Sequence, residues 1–286
     1  MHDRRFLLRP DDKLTVLVTW LLATLAPLFD VEVHAMSVMS THYHLVCSVG
    51  DQRISDFLRD FNASLAKAVN VLRGARRGIV WEPGTLSIVE LKTVDAIITS
   101  IAYAIVNPVA AGLVWRPEDW PGLNVLAHEI GRRVREVAAP DYFFRTGFWD
   151  PTAVLVTTLP ARLLEELGED EARRRIEAEV ERQLREARAH VKSQGWQVLG
   201  PVAARNVSPF RRAKSWEDFG ALSPTFAVGA GNHEERRAAI AELKAFRAAY
   251  RAAWIGYRAG ERDAVWPYGT YLMRVRHRVE VEPAPS

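Results

Sequence analysis

The first 120 residues switch repeatedly between helical and strand periods. Asp11-Asp12 precede an apolar run from Leu14 to Phe29, and acidic residues there can cap a helix that Asp30 ends. Val31–Met39 begins by alternating apolar and polar residues, as a strand does. Tyr43–Val49 predicts a second strand, antiparallel to the first if Ser40-Thr41 makes a tight connection. From Ile54 to about Gly74 the apolar positions Ile54, Phe57, Leu58, Phe61, Leu65 and Val69 fall on one helix face. Leu86–Leu91 predicts a short strand. Asp95 to about Asn107 predicts a helix that Pro108 ends or kinks. The order α-β-β-α-β-α implies an α+β fold, an antiparallel sheet with helices packed on it.

Trp120-Pro121-Gly122 marks a boundary. Residues 1–123 read as one unit and 124–286 as a mostly helical C-terminal extension. In the extension, Val154–Thr158 predicts a short strand and Pro160 to about Gln194 a long helix dense in Glu and Arg. His233–Arg258 predicts another helix after the turn Gly229-Ala230-Gly231-Asn232. The tail from Pro283 is expected to fray.

At 286 residues the chain can bury a sizeable core. Its formal net charge of +3 points only faintly to a polyanionic partner. The surplus lies in the second half: residues 1–130 hold 12 Lys and Arg against 14 Asp and Glu, residues 131–286 hold 26 against 21. The one cysteine, Cys47, excludes an internal disulfide and a Cys-rich zinc site, and its apolar surroundings suggest a buried structural thiol. Residues 1–12 are charged and show no secretory pattern. Leu14–Phe29 is shorter than the roughly 20 residues that span a bilayer. The expectation is a cytoplasmic protein with no membrane partner.

The chemistry concentrates in two places. His42 and His44 are two apart on a predicted strand and so share a face. Tyr103 and Asn107 are four apart on a predicted helix and share a face too. Each alone reads blandly: two ordinary histidines, a core tyrosine, an asparagine at a helix end. His34, on the neighbouring strand without a partner, reads as structural. Brought together, His42, His44 and Asn107 offer three neutral N or O ligands for one divalent cation. Tyr103 adds a phenol beside it, and such a set can attack a phosphodiester.

The segments Val38-Met39-Ser40-Thr41-His42-Tyr43-His44-Leu45-Val46, Ala102-Tyr103-Ala104-Ile105-Val106-Asn107-Pro108-Val109-Ala110-Ala111-Gly112-Leu113-Val114 and Asp119-Trp120-Pro121 occur in that order. With Phe57–Asn62 between them, residues 4–123 resemble the IS200-like single-tyrosine transposases of the HUH class, and most closely the REP-associated tyrosine transposases. The resemblance implies a ferredoxin-like HUH domain. It implies that His42 and His44 hold Mg or Mn, that Asn107 is the third ligand, and that Tyr103 is the nucleophile. It implies single-stranded or hairpin DNA as substrate and a 5′-phosphotyrosine intermediate. Many relatives carry Asn where this chain has Thr41, which would tune the turn. The family opens with a strand ahead of Arg4, and only Met1-His2-Asp3 precede it here, so the expectation is that either the sheet lacks an edge strand or the start codon lies further upstream.

DNA binding of this kind uses cations and stacking aromatics. The candidates are Arg73, Arg76, Arg77 and Trp81 after the middle helix, and Arg211, Arg212 and Lys214 in the extension. The Arg-rich helix near Arg173–Arg188 is interleaved with Glu and is explained by intrahelical ion pairs. One tyrosine per chain and two element ends suggest a homodimer or two sequential cleavages. Two other readings stand beside this one: a domesticated, non-cleaving DNA-binding protein, and a relaxase or rolling-circle nuclease with the same H-x-H chemistry. A two-histidine phosphodiesterase is excluded, because no H-x-[ST] pair occurs.

Overall fold

A computed structural model describes residues 2–50, 53–74, 78–82, 84, 86–144, 147, 149–214 and 224–283. The fold is α+β, with helix outweighing strand and small sheets. Helix α1 spans Asp12–Leu28, and the Asp11 side chain caps it by accepting from the Leu14 N–H. Strands β1 (Val31–Val38) and β2 (Tyr43–Val49) follow as an antiparallel hairpin, with Val38 opposite Tyr43 and Ser37 opposite His44. The Met39 N–H donates to the His42 carbonyl and closes the tip over Ser40-Thr41.

Helix α2 (Ile54–Leu72) and helix α3 (Val94–Ala110) take opposite faces of this hairpin. The Tyr43 ring lies 5.6 Å from Phe61 of α2, whereas the His44 ring lies 5.1 Å from Tyr103 of α3. Strand alternation dictates that split, because neighbours in a strand point to opposite sides. The other edge of β1 is also covered. The Val38 N–H donates to Leu123, the Val125 N–H to Met36, and the Thr158 N–H to Val33.

Three expectations change. Leu86–Leu91 narrows to β3 (Glu90–Leu91), which leaves the hairpin and pairs in parallel with β6 (Phe226–Ala227). Leu86 and Ile88 stay exposed, so nothing rewards a longer strand there. Helix α3 runs on through Pro108, which sits in its last turn and costs a single backbone bond. It stops at Gly112, whose φ of 66° suits a left-handed cap. The long helix from Pro160 divides at Gly168 (φ 76°) into α4 (Ala161–Leu167) and α5 (Glu169–Ser193).

Between α3 and α4 lies a second antiparallel hairpin, β4 (Val134–Ala138) with β5 (Thr152–Val156). After α5 come α6 (Pro201–Asn206), α7 (His233–Ala259) and α8 (Tyr271–His277). The apolar core does not stop at the Trp120-Pro121-Gly122 boundary. One cluster runs from Leu7 through Ile101 to Leu163, Ile176, Val180 and Leu184. A small separate cluster gathers Ala253, Trp266 and Val279. Residues 284–286, most of the tail expected to fray, lie outside the described residues. No helix among the described residues is long and apolar enough to cross a membrane.

Candidate active site

The hairpin tip is braced from three sides. The Leu8 N–H donates to the Ser40 carbonyl. The buried Trp120 indole donates to the Val38 carbonyl at 2.9 Å. Gly122 packs so closely that an added Cβ would stand 2.7 Å from Trp120 Nε1 and 3.1 Å from the Val38 carbonyl. The Asp119-Trp120-Pro121 segment is therefore a clamp on the end of β1, across the hairpin from its histidine-bearing side, and its chemistry is structural.

His42 and His44 meet edge to face with ring centroids 4.8 Å apart, and His44 meets Tyr103 in the same way at 5.1 Å. Three residues from a strand and a helix thus form one row. Burial, with a smaller repulsion from His42, pushes His44 down to about 4, so its imidazole is neutral at neutral pH. Its Nε2 is buried and has no hydrogen-bond partner among the described residues, which is costly for a polar atom unless something fills it. The Thr41 hydroxyl lies 2.9 Å from His42 Nδ1. If Nδ1 donates, Nε2 is the unprotonated ring nitrogen. Two imidazoles and the amide oxygen of Asn107 are donor types that could hold a divalent cation, Mg only with further oxygen ligands. Among the described residues no three His, Cys, Asp or Glu side chains gather, so an asparagine is the third member that sequence spacing offers.

Tyr103 is 50% exposed, on the strip of α3 that also exposes Thr99 and Ala110, while Asn107 is 8% exposed. Both line a cleft of about 550 Å³ between α3 and α5. The far wall comes from Arg182, Gln183, Glu186, Ala187 and His190 of α5. Arg182 bridges Glu179 and Glu186, as the ion-pair reading of this helix expects. The docking of α5 on α3 is what the sequence reading missed. A signal was present: Ile176, Val180, Leu184, Ala187 and Val191 recur at helical spacing within the charged run and are all buried.

His34 is structural, as read. It is buried at a bulge between Val33 and Ala35 and bonds Thr158 and Ser48 through its two ring nitrogens, each at 2.8 Å. Cys47 is half-buried, and burial pushes its thiol up to about 11.

The candidate DNA contacts fare unevenly. Arg73 is withdrawn. Its side chain is 5% exposed and donates to the carbonyls of Leu7 and Arg9 and to Asp11. Trp81 is half-buried: its indole donates to the Asn62 carbonyl and its ring packs on Tyr43. Arg76 and Arg77 lie outside the described residues. Arg211, Arg212 and Lys214 are exposed. The Arg211 carbonyl accepts from Phe6, and Arg212 pairs with Asp3.

No protein-family model, curated protein or solved structure matches this chain.

Proposed function

We propose that this chain is a metal-dependent single-tyrosine transposase or nuclease that cuts and rejoins single-stranded DNA near hairpins. The observation that carries the reading is the row His42–His44–Tyr103, assembled from two elements some sixty residues apart, with the tyrosine half exposed. The hairpin with α2 and α3 on opposite faces is the part of a ferredoxin-like HUH platform on which the reading rests. His42, His44 and Asn107 would hold Mg or Mn, which supplies charge stabilisation at the scissile phosphate.

Tyr103 Oη attacks phosphorus and forms a new P–O bond. The bond to the 3′ oxygen breaks, and that oxygen leaves as a hydroxyl. The 5′-phosphotyrosine keeps the ester energy, so the reverse attack by a 3′-hydroxyl rejoins the strand without ATP. The neutral His44 brings no positive charge of its own beside the tyrosine. Thr41 orients His42. One tyrosine per chain makes a homodimer or two sequential events the route to two cleavages.

The test is a denaturing gel with full-length protein, Mn and single-stranded DNA from the gene's own flanks. Wild type is expected to form a metal-dependent adduct that Tyr103→Phe abolishes. Absence of any adduct from the wild type on hairpin-bearing strands overturns the cleavage claim. A second reading, a non-cleaving DNA-binding protein of the same descent, is favoured by the way α5 walls the cleft that Tyr103 and Asn107 line. The same gel separates the two.

A further inference from the structure

Helix α7 is 27 residues long, yet only Ala239, Ala253 and Gly256 of it are buried. From Lys244 to Ala252 every residue is exposed. The helix is held at its start and just beyond its end. Asn232 donates to Asp95 and Lys92 pairs with Glu242 on one side; Tyr271 and Arg274 of α8 bond Asp56 on the other. Alanine is abundant along it, and high intrinsic propensity lets such a stretch stay helical without a packed face.

Its charge is not evenly spread. The acidic residues Glu234, Glu235 and Glu242 all fall in the first ten positions, and residues 243–260 contain none. The cations Lys244, Arg247, Arg251 and Arg258 follow at spacings of three, four and seven. At about 100° per residue they fall within about 60° of arc, roughly opposite the three buried positions. Lys244, Arg247 and Arg251 make no ion pair with any described residue. Arg258 lies over the exposed Trp254 ring at 5.0 Å. Elsewhere the arginines are mostly paired, as in α5, so an unpaired row is a local departure. The neighbouring aromatics are already engaged: Phe246 with Tyr250, and Tyr250 and Tyr257 with Trp266.

We infer that this cationic stripe of α7 is a docking surface for the phosphate backbone of double-stranded DNA, such as the stem of a hairpin. Fourteen residues at 1.5 Å span about 21 Å, close to six base pairs at 3.4 Å each. A straight helix with cations on one side fits the regular phosphate rows of a duplex, and the partly exposed rings of Phe246, Tyr250 and Trp254 each already lie against a neighbour on the protein. The inference rests on α7 alone and holds whether or not Tyr103 cleaves.

The experiment is fluorescence anisotropy with the full chain and three probes: a hairpin duplex, an unstructured single strand, and vesicles of phosphatidylserine and phosphatidylcholine. The variant is Lys244→Gln/Arg247→Gln/Arg251→Gln. A control, Arg53→Gln/Arg162→Gln/Arg205→Gln, makes the same charge change at cations that are ion-paired elsewhere. Circular dichroism and a thermal melt establish that both fold. The variant is expected to bind duplex at least about tenfold more weakly at 0.1 M salt, with a log–log salt slope shallower by about three. The control is expected to keep most of the affinity. Equal losses in variant and control, no duplex binding by wild type, preference for the single strand, or binding to vesicles instead of DNA would each overturn the assignment. Failure of the adduct assay alongside a normal α7 effect would remove the cleavage reading and leave this one standing.

Discussion

The two histidines of the hairpin's paired strands show how one residue type serves two ends. His34 has both ring nitrogens bonded, and burial is the main cause that lowers it from its ordinary 6.5. His44, beside His42, has an Nε2 with no partner among the described residues. The lowered His34 has a consequence for stability. The unfolded chain takes up a proton near 6.5, while the folded chain resists it until a lower pH. Stability is therefore full above about 6.5 and falls as pH drops below it, and His44 pushes the same way down to about 4. Urea midpoints at pH 7.5, 6.0 and 5.0 are expected to decline, and His34→Gln is expected to make that decline shallower. A midpoint slope unchanged by the substitution would show that His34 is not the sensor. Gly122 makes a second residue-scale prediction. Its missing Cβ leaves room for the Trp120–Val38 bond, so Gly122→Ala is expected to cost about 1–3 kcal/mol in a urea melt and to weaken adduct formation by loosening the hairpin tip.

At the scale of elements, local signals were legible where local rules govern. Helices α1 and α2 and both strands of the hairpin follow from period and caps, within a residue or two at each end. The His pair and the Tyr103–Asn107 pair were readable for the same reason, since shared faces follow from spacing alone. The ends of α3 and the fate of β3 were not. Pro108 looked like a stop, but a proline in the last turn forfeits one bond, and the true stop is a Schellman motif. The Gly112 N–H donates to Val109 and the Leu113 N–H to Pro108. The pairing of Glu90 with Phe226 joins segments 136 apart, and no local pattern announces it. Nor did the Glu–Arg surface of α5 reveal which helix its apolar stripe would cover. Gly112 is also where the extension attaches, because its carbonyl accepts from Leu199 and an added Cβ would meet Trp196 at 3.3 Å. Gly112→Ala is expected to destabilise by about 1–2 kcal/mol, from strain at positive φ. A thermal melt checks it, and a Tm equal to wild type would mean that the cap is not under this constraint.

At the scale of the whole molecule, the extension is part of the body that holds the candidate site. Trp20 of α1 packs on Phe144 at 4.6 Å and on Trp149 at 5.7 Å. The free edge of β1 is closed by backbone from residues 123–125 and 157–158. The face of α3 that carries Asn107 is walled by α5, and Leu155, Leu159, Leu163, Ile176, Val180 and Leu184 belong to the same core as Ile101 and Ile105. Each such side chain contributes about 1.5–3 kcal/mol when buried. Several together match the roughly 5–15 kcal/mol that separates a folded domain from its unfolded state. A fragment of residues 1–123 is therefore expected to lack a cooperative urea transition and to bind a hydrophobic dye, although it carries His42, His44, Tyr103 and Asn107. Full-length protein is expected to unfold in one main transition and to bind little dye. A cooperative, dye-free fragment would show that the N-terminal part folds alone and that α5 is an accessory laid over the face that carries the candidate site. If the fragment is unfolded, its failure to form an adduct says nothing about Tyr103, because the row His42–His44–Tyr103 would then exist only when residues from beyond 123 close the strand edge and cover α3.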